Sequence, residues 1–366
     1  MVLYLCCNCC SKELPSTDRH PLLTRNRRSA FFPGAFYLLS CWYTRKELAL
    51  RTAVLYSGLI LATAFSGLIA AGVFAGLDGA HGLAGWRWLF LIEGAASFGF
   101  GVLAIFILPD FPESSGGKVG SARWLFTADE RLVAVERMRR DRVSVDEGKR
   151  SVWYGLRLAV TDYRTWIFVL MLIANHTAYG FNYFYPSIVK GLNLGSTTIT
   201  LVLTSPPYLL ATLFCFAFGY SSDRSGERGF HIAVSMSAAA IGFVVSASTL
   251  SVPVRYFASF LYICGCFSAN AMVFSWASAT LSQTPEKRAA ATAIINLLSQ
   301  LGNIWSPYFF RPGDAPRYVM AMILMMAFAL LSVLTCLAMK WSLRRANKKI
   351  LEEYEGRDET PRLFML

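Results

Sequence analysis

Apolar residues run along this chain in blocks separated by short polar turns, and that alternation dominates every other pattern in it. The blocks at Thr52–Phe74 and Trp86–Leu108, and then at about 165–189, 198–220, 230–250, 254–281, 285–310 and 318–341, each match the roughly 20 residues that cross a hydrocarbon core as an α-helix. An earlier block, Ala30–Tyr43, would rise only about 21 Å against a core of roughly 30 Å, and reads as the second half of a membrane helix. The pattern predicts an all-α polytopic membrane protein. Small residues in Thr52–Phe74 (Ser57, Ala62, Ser66, Gly67, Ala70, Ala71, Gly72) permit close helix packing in lipid, and Trp86 and Trp88 suit an interface.

The turn from Gly219 to Gly229, Gly-Tyr-Ser-Ser-Asp-Arg-Ser-Gly-Glu-Arg-Gly, is too short to let the blocks on either side be anything but antiparallel neighbours. Arg224 and Arg228 place it on the cytoplasmic side by the positive-inside rule. The same rule orients the rest: of 35 Lys and Arg, all but Arg87, Lys190, Arg255, Arg311 and Arg317 fall in the termini or in turns of that one side. The tail 342–366, with Arg344, Arg345, Lys348 and Lys349, is then cytoplasmic, and so is the long polar stretch 110–164. Within that stretch, Thr127-Ala128-Asp129-Glu130 reads as a capping box opening a surface helix to about Asp141, and a second helix is expected from Trp153 to Val160.

Composition agrees, since 55% hydrophobic and 16% charged residues with a mean hydropathy of +0.43 are too apolar for a soluble chain of 366 residues. The net charge of +12 could suggest nucleic acid, but the cations lie in turns between apolar blocks, so it is a topology signal and no nucleic-acid partner is expected. Nine cysteines make no disulfide framework: Cys41, Cys215, Cys264, Cys266 and Cys336 are scattered inside apolar blocks, where a thiol packs as a small hydrophobe. Residues 1–28 neither span nor form a cleavable signal, and read as a disordered segment. Its Cys6, Cys7, Cys9 and Cys10 suit palmitoylation or a soft metal, or belong to an unrelated start with neither role.

Several motifs in order then point to one family. Gly219-x-x-x-Asp223-Arg224-x-Gly226-x-Arg228 resembles the signature loop of the major facilitator superfamily. Phe31-Phe32-Pro33-Gly34, Trp42-Tyr43-x-Arg45-x-Glu47, Gly85-Trp86-Arg87-Trp88-Leu89-Phe90-x-x-Glu93-Gly94, Leu108-Pro109-Asp110-Phe111-Pro112, Lys287-Arg288-Ala289 and Asp314-Ala315-Pro316-Arg317-Tyr318 resemble its anion:cation symporters, the allantoate, nicotinate, pantothenate and biotin permeases. The resemblance covers about residues 30–350. It implies a twelve-helix fold here lacking helices 1 to 3 and part of helix 4. Residues 29–109 would be the remnant of the N-terminal bundle, 110–164 the central loop, and 165–341 the C-terminal six-helix bundle. It further implies proton-coupled, alternating-access transport of a small organic anion or vitamin in the plasma membrane, with lipid and protons as the other partners and no cofactor or metal. The 366-residue chain expressed alone is expected to be poorly inserted and not to move substrate.

Polar residues at helical spacing inside apolar blocks are the candidate pathway, because such groups are costly toward lipid. Asn175, Tyr179, Asn182 and Pro186 follow one face of a continuous helix, flanked by His176 and Tyr183; Thr292, Asn296, Gln300 and Asn303 follow another; Asn270 lies one turn from Phe274, with Trp276 near. These either line a cavity or bond between helices. Pro206 and Pro207 remove backbone hydrogen bonds in mid-block and mark a gate or a static kink. Glu93 is the one carboxylate well inside an apolar block, serving either as a proton carrier or in a structural ion pair or hydrogen bond, with Arg87 or another cation as partner.

By resemblance to the family loop, Asp223 would face the helix terminus that Thr284-Pro285-Glu286 opens, while Arg224 or Arg228 pairs with a nearby acid, forming a conformational latch; otherwise the turn is merely solvated. No enzyme constellation appears: there is no G-x-S-x-G, no H-E-x-x-H and no phosphate loop, and the four histidines sit in separate segments. The competing class is a non-transporting fragment or a transporter-like nutrient sensor.

Overall fold

A computed structural model describes residues 35, 38–39, 41–44, 47–107, 127–141, 152–195, 197–354 and 363–366. The cysteine-bearing segment 1–28, most of the half-length block 30–43, Arg45, and residues 108–126 and 142–151 of the polar stretch lie outside them.

Every described element is helical. In chain order they are α1 Leu48–Gly76, α2 Gly85–Ile107, α3 Ala128–Asp141, α4 Val152–Thr161, α5 Tyr163–Ala178, α6 Tyr185–Lys190, α7 Thr197–Ser225, α8 Gly229–Ser248, α9 Val252–Thr280, α10 Pro285–Ser299, α11 Leu301–Trp305 and α12 Val319–Glu353. Among the described residues six are long and apolar enough to cross a membrane: α1, α2, α7, α8, α9 and α12.

The two spans expected at 165–189 and 285–310 are each broken. After Ala178 the backbone tightens into a 3₁₀ turn, Tyr179–Tyr183, before α6 begins. Pro186 stands in the first turn of α6, where its missing N–H costs no helical bond. The second span stops at Ser299, restarts as α11 and ends in a 3₁₀ turn, Ser306–Phe309, that contains Pro307. The two breaks lie against each other: a Cβ on Gly302 would meet Thr177 N at 2.7 Å, one on Gly180 would collide with Ser306 Cβ, and Trp305 Nε1 donates to Thr177 Oγ1 at 3.0 Å.

The chain forms two compact units. Of the described residues, one takes in those up to Trp42 and from Phe65 to Asp141, the other those from Tyr43 to Ala64 and those after Asp141, so α1 contributes to both. In the first unit, Asp78 Oδ1 accepts from Gly85 N at 2.7 Å and caps the start of α2, while Trp88 Nε1 donates back to Ala80 O at 3.1 Å. The capping box ahead of α3 forms as expected. Thr127 N and Oγ1 both donate to Glu130 Oε2 (2.8 and 3.0 Å), and Glu130 N returns a bond to Thr127 Oγ1 at 3.4 Å. Those bonds, the backbone one foremost, hold the Glu130 carboxyl below its ordinary range.

In the second unit α9 is buried along almost its whole length, with α8 and α7 packed against it, α12 against α8 and α5, and α10 against α4 and α5. Small residues set the closest approach, as helix packing in lipid requires. A Cβ on Gly265 of α9 would collide with Ser235 O of α8, and one on Gly242 of α8 would stand 2.9 Å from Ala258 O of α9.

Ion pairs mark the end of this bundle that carries the Gly226 turn. Lys287 Nζ meets Asp162 Oδ2 and Lys340 Nζ meets Glu227 Oε2, both at 2.6 Å. At the other end the Asp314–Tyr318 motif joins three helix termini. Asp314 Oδ2 accepts from Met320 N in the first turn of α12 (2.9 Å), Arg317 donates to Ala247 O in the last turn of α8 (2.9 Å), and Arg255 of α9 donates to Pro316 O (2.8 Å).

Candidate functional site

Three buried polar side chains from three helices meet inside the apolar second unit. Tyr56 of α1 (2% exposed) donates its hydroxyl to Asn270 Oδ1 at 3.4 Å, and Asn270 Nδ2 (5% exposed) lies 3.4 Å from His176 Nε2 (7% exposed) on α5. Phe274 stacks on Tyr56 at 6.2 Å and Tyr179 tilts against His176 at 6.4 Å, so aromatic faces bound the polar cluster. An amide between a phenol and an imidazole offers donors and acceptors in one place, together with a ring that can carry a proton. That combination suits a small polar ligand. Asn270 was expected here; Tyr56 was not, although the buried pair Thr52 and Tyr56, one turn apart in an apolar block, was its signal.

The stripe on 165–189 does not keep one face, because its helix ends at Ala178. Asn175, fully buried, donates to Met236 Sδ of α8 at 3.1 Å while its Oδ1 has no hydrogen-bond partner. Tyr179 packs edge-on against Phe267 of α9 at 4.7 Å. Asn182 accepts from Tyr208 of α7 at 2.7 Å. Three expected pathway residues thus turn to three different helices, and the flanking residue His176 is the one that reaches Asn270.

The second stripe divides at the break after Ser299. Thr292 is buried and Asn296 half-buried on α10, whereas Gln300 caps that helix and accepts from Asn303 Nδ2 at 2.9 Å. Trp276 does not join Asn270. Its ring lies edge-on to Phe168 at 5.5 Å, and its Nε1 donates to Met365 O at 3.0 Å.

Pro206 and Pro207 leave α7 continuous from Thr197 to Ser225 rather than breaking it. Each proline frees the carbonyl four residues earlier, and the one freed by Pro207, Leu203 O, accepts the hydroxyl of Tyr256 on α9 at 3.0 Å. Just ahead of them, Ser205 Oγ donates to Ala64 O of α1 at 2.7 Å.

The Gly226 turn is built as a network. Gly226, at φ 64°, takes the left-handed conformation that ends α7. Asp223 Oδ1 lies 3.5 Å from Arg228 Nη2, and the Arg228 side chain is fully buried and also bonds Ser275 Oγ. Asp223 Oδ2 accepts from Leu50 N at 2.7 Å, in the first turn of α1. This corrects the expected partner, which was the helix opened by Thr284. That terminus is served by its own residues: Thr284 Oγ1 caps Lys287 N at 3.1 Å, and the Lys287 side chain reaches Asp162 and Gln283. Arg224 is exposed, with no ion-pair partner among the described residues, and among those residues Arg228 is the cation paired with Asp223.

In the first unit, Glu93 is exposed and has no ion-pair partner among the described residues. The pairing with Arg87 is not formed, because six residues separate the two on α2 and the guanidinium lies over the Trp86 ring at 5.2 Å instead.

Comparison with known proteins supplies the frame. A sequence profile described as Major Facilitator Superfamily matches residues 28–307. The MFS-type transporter cnsO of Penicillium expansum is 34% identical over 330 residues, covering 88% of this chain and 62% of its own. The putative tartrate transporter of Agrobacterium vitis is 29% identical, covering 76% and 61%. The chain therefore spans less than two thirds of the length of these relatives. Among solved structures, the proton:xylose symporter XylE aligns with a TM-score of 0.65 at 19% identity, over 84% of this chain and 66% of that one, a likeness of fold.

Proposed function

The chain belongs to the major facilitator superfamily, and from that premise we propose that it serves a secondary active transporter that moves a small organic anion together with a proton, by alternating access. The single observation that carries this is the Tyr56–Asn270–His176 cluster, a concentrated set of hydrogen-bonding groups in surroundings where each unsatisfied polar group is expensive. A carboxylate would accept from the phenol and the amide, and an imidazole carrying the co-transported proton would neutralise it. The tartrate transporter among the relatives supports a carboxylate substrate. The motifs that resemble those of anion:cation symporters extend the proposed set to nicotinate, pantothenate, biotin and allantoate. His176 is our candidate proton carrier in preference to Glu93, because it touches the cluster. Asp223 and Arg228 form the latch, the prolines of α7 the adjoining wall, and the Gly226 turn faces the cytoplasm of a plasma-membrane protein.

Two measurements test this reading. Labelled tartrate, nicotinate, pantothenate, biotin and allantoate are offered to transport-deficient cells producing a full-length transporter that contains this sequence, and the same compounds are offered to that purified protein in a thermal-unfolding assay. One of them should enter in a saturable, proton-gradient-dependent manner and should raise the unfolding temperature, as any ligand selective for the folded state does. Both effects should vanish in His176→Ala and Asn270→Ala. Uptake that survives both substitutions would refute the assignment.

A further inference from the structure

The last four residues, Leu363-Phe364-Met365-Leu366, do not trail from α12 but lie in a groove among the helix ends at the Gly226 turn. Asn347 of α12 grips Phe364 from both sides of its peptide: Nδ2 donates to Phe364 O and Oδ1 accepts from Phe364 N, both at 2.8 Å. One amide side chain thereby supplies the donor and acceptor pair that a neighbouring β-strand would supply. The Phe364 ring lies under the guanidinium of Arg164, 4.6 Å away, at the start of α5. Met365 O takes the indole N–H of Trp276 on α9, and Leu366 O takes two backbone N–H groups, those of Arg228 and Gly229 (3.2 Å for Gly229), at the start of α8.

Four helices therefore contribute to one binding surface. Its partners run along the segment in order, with side-chain amide, guanidinium, indole and backbone N–H groups meeting successive residues. Of the groups it occupies, Arg228 is also the cation held by Asp223, and Asp223 in turn holds Leu50 N of α1. The segment is fastened to the residue that anchors the latch.

We propose that this groove is a receptor for an extended apolar peptide, that residues 363–366 are its built-in occupant, and that occupancy braces Arg228 so that Asp223 keeps its hold on α1. Detaching the segment loosens the latch. Docking of the segment does not depend on which substrate is carried, or on transport at all.

Amide hydrogen exchange of the full chain is compared with that of a chain ending at residue 362 and with full-length Asn347→Ala, all in lipid nanodiscs. Removing the segment should speed exchange at Arg228 and Gly229 by about tenfold, the factor that one net hydrogen bond represents, and Leu50 should accelerate with them. Met320 N, held by Asp314 at the other end of the bundle, should not change and reports that the fold is intact. Added to the shortened chain, the synthetic peptide Leu-Phe-Met-Leu should restore protection at all three amides. Asn347→Ala, which keeps the segment but removes its clamp, should give the same pattern more weakly. Unchanged exchange at Arg228 and Gly229 in both variants would overturn the docking. Acceleration there with Leu50 unaffected would overturn the coupling to the latch.

Discussion

The hydroxyl of Tyr256 on α9 takes over the bonding role that Pro207 removes from α7, donating at 3.0 Å to Leu203 O, the carbonyl that the proline leaves without its helical partner. A proline in mid-span is tolerated here because a neighbouring helix satisfies the carbonyl it releases. Tyr256→Phe should therefore destabilise the protein by about 1 kcal/mol, in the range of interhelical hydrogen bonds in membranes. In a Pro207→Ala background, where position 207 regains a backbone N–H that can bond Leu203 O, the same substitution should cost much less. A double-mutant cycle in a detergent unfolding titration measures the difference; equal costs in the two backgrounds would show that the bond is unrelated to the proline.

The network at Asp223 separates charge from hydrogen bonding. Asp223→Asn keeps an acceptor for Leu50 N but leaves the buried Arg228 without its carboxylate, a change expected to cost about 3 kcal/mol. Asp223→Ala removes both and should cost about 1 kcal/mol more. Arg224→Ala, at an exposed position, should be within about 0.5 kcal/mol of the parent. Thermal unfolding ranks the three, and an Arg224 effect as large as that of Asp223 would contradict the geometry.

Asn175 and Asn270 should behave oppositely. Asn175 Oδ1 is buried without a hydrogen-bond partner, so Asn175→Leu should leave stability unchanged or raise it by about 1 kcal/mol. Asn270→Leu removes the bonds that reach Tyr56 and His176 and should cost about 1 to 3 kcal/mol. Cysteines add a kinetic test: one at half-buried Asn182 should react with a small water-soluble thiol reagent faster than one at fully buried Asn175. Faster labelling at 175 would restore the continuous stripe expected from spacing.

Glu130 provides a pH-dependent prediction outside the membrane spans. Its folded carboxyl titrates below the ordinary glutamate range, so the capping contribution is present above that range and is lost as pH falls through the folded value. Thr127→Ala removes one of the two bonds into Glu130 Oε2 but keeps the backbone one, and should move the Glu130 titration upward only part of the way toward that of an exposed glutamate. An NMR titration of the side-chain carboxyl carbon reads both values.

The sequence located the six long apolar helices, the Thr127 box and the turn at Gly226, because each of these is a local property of chain chemistry. They failed where one helix depends on another. Asn175, Tyr179 and Asn182 share a face only if the helix continues past Ala178, and where it ends the chain packs closely on a distant segment, Gly180 against Ser306. Spacing likewise cannot tell which helix start an aspartate will cap. Asp223 reaches Leu50, 173 positions away, while the terminus that looked equally suitable was already capped by its own threonine. Tyr56 escaped notice for a related reason: its hydroxyl has meaning only beside Asn270.

The bare Gly265 against the Ser235 carbonyl, and Gly242 against that of Ala258, bear on how this protein can move. Each glycine is a notch into which the opposite backbone is seated, and any sliding of α8 along α9 would drive a carbonyl into the side chain one turn away. The pair must travel as a single beam. Flexing is left to the places where the helical ladder is already interrupted, at Tyr179–Tyr183 and after Ser299, and the first of these joints begins one turn after His176 of the polar cluster.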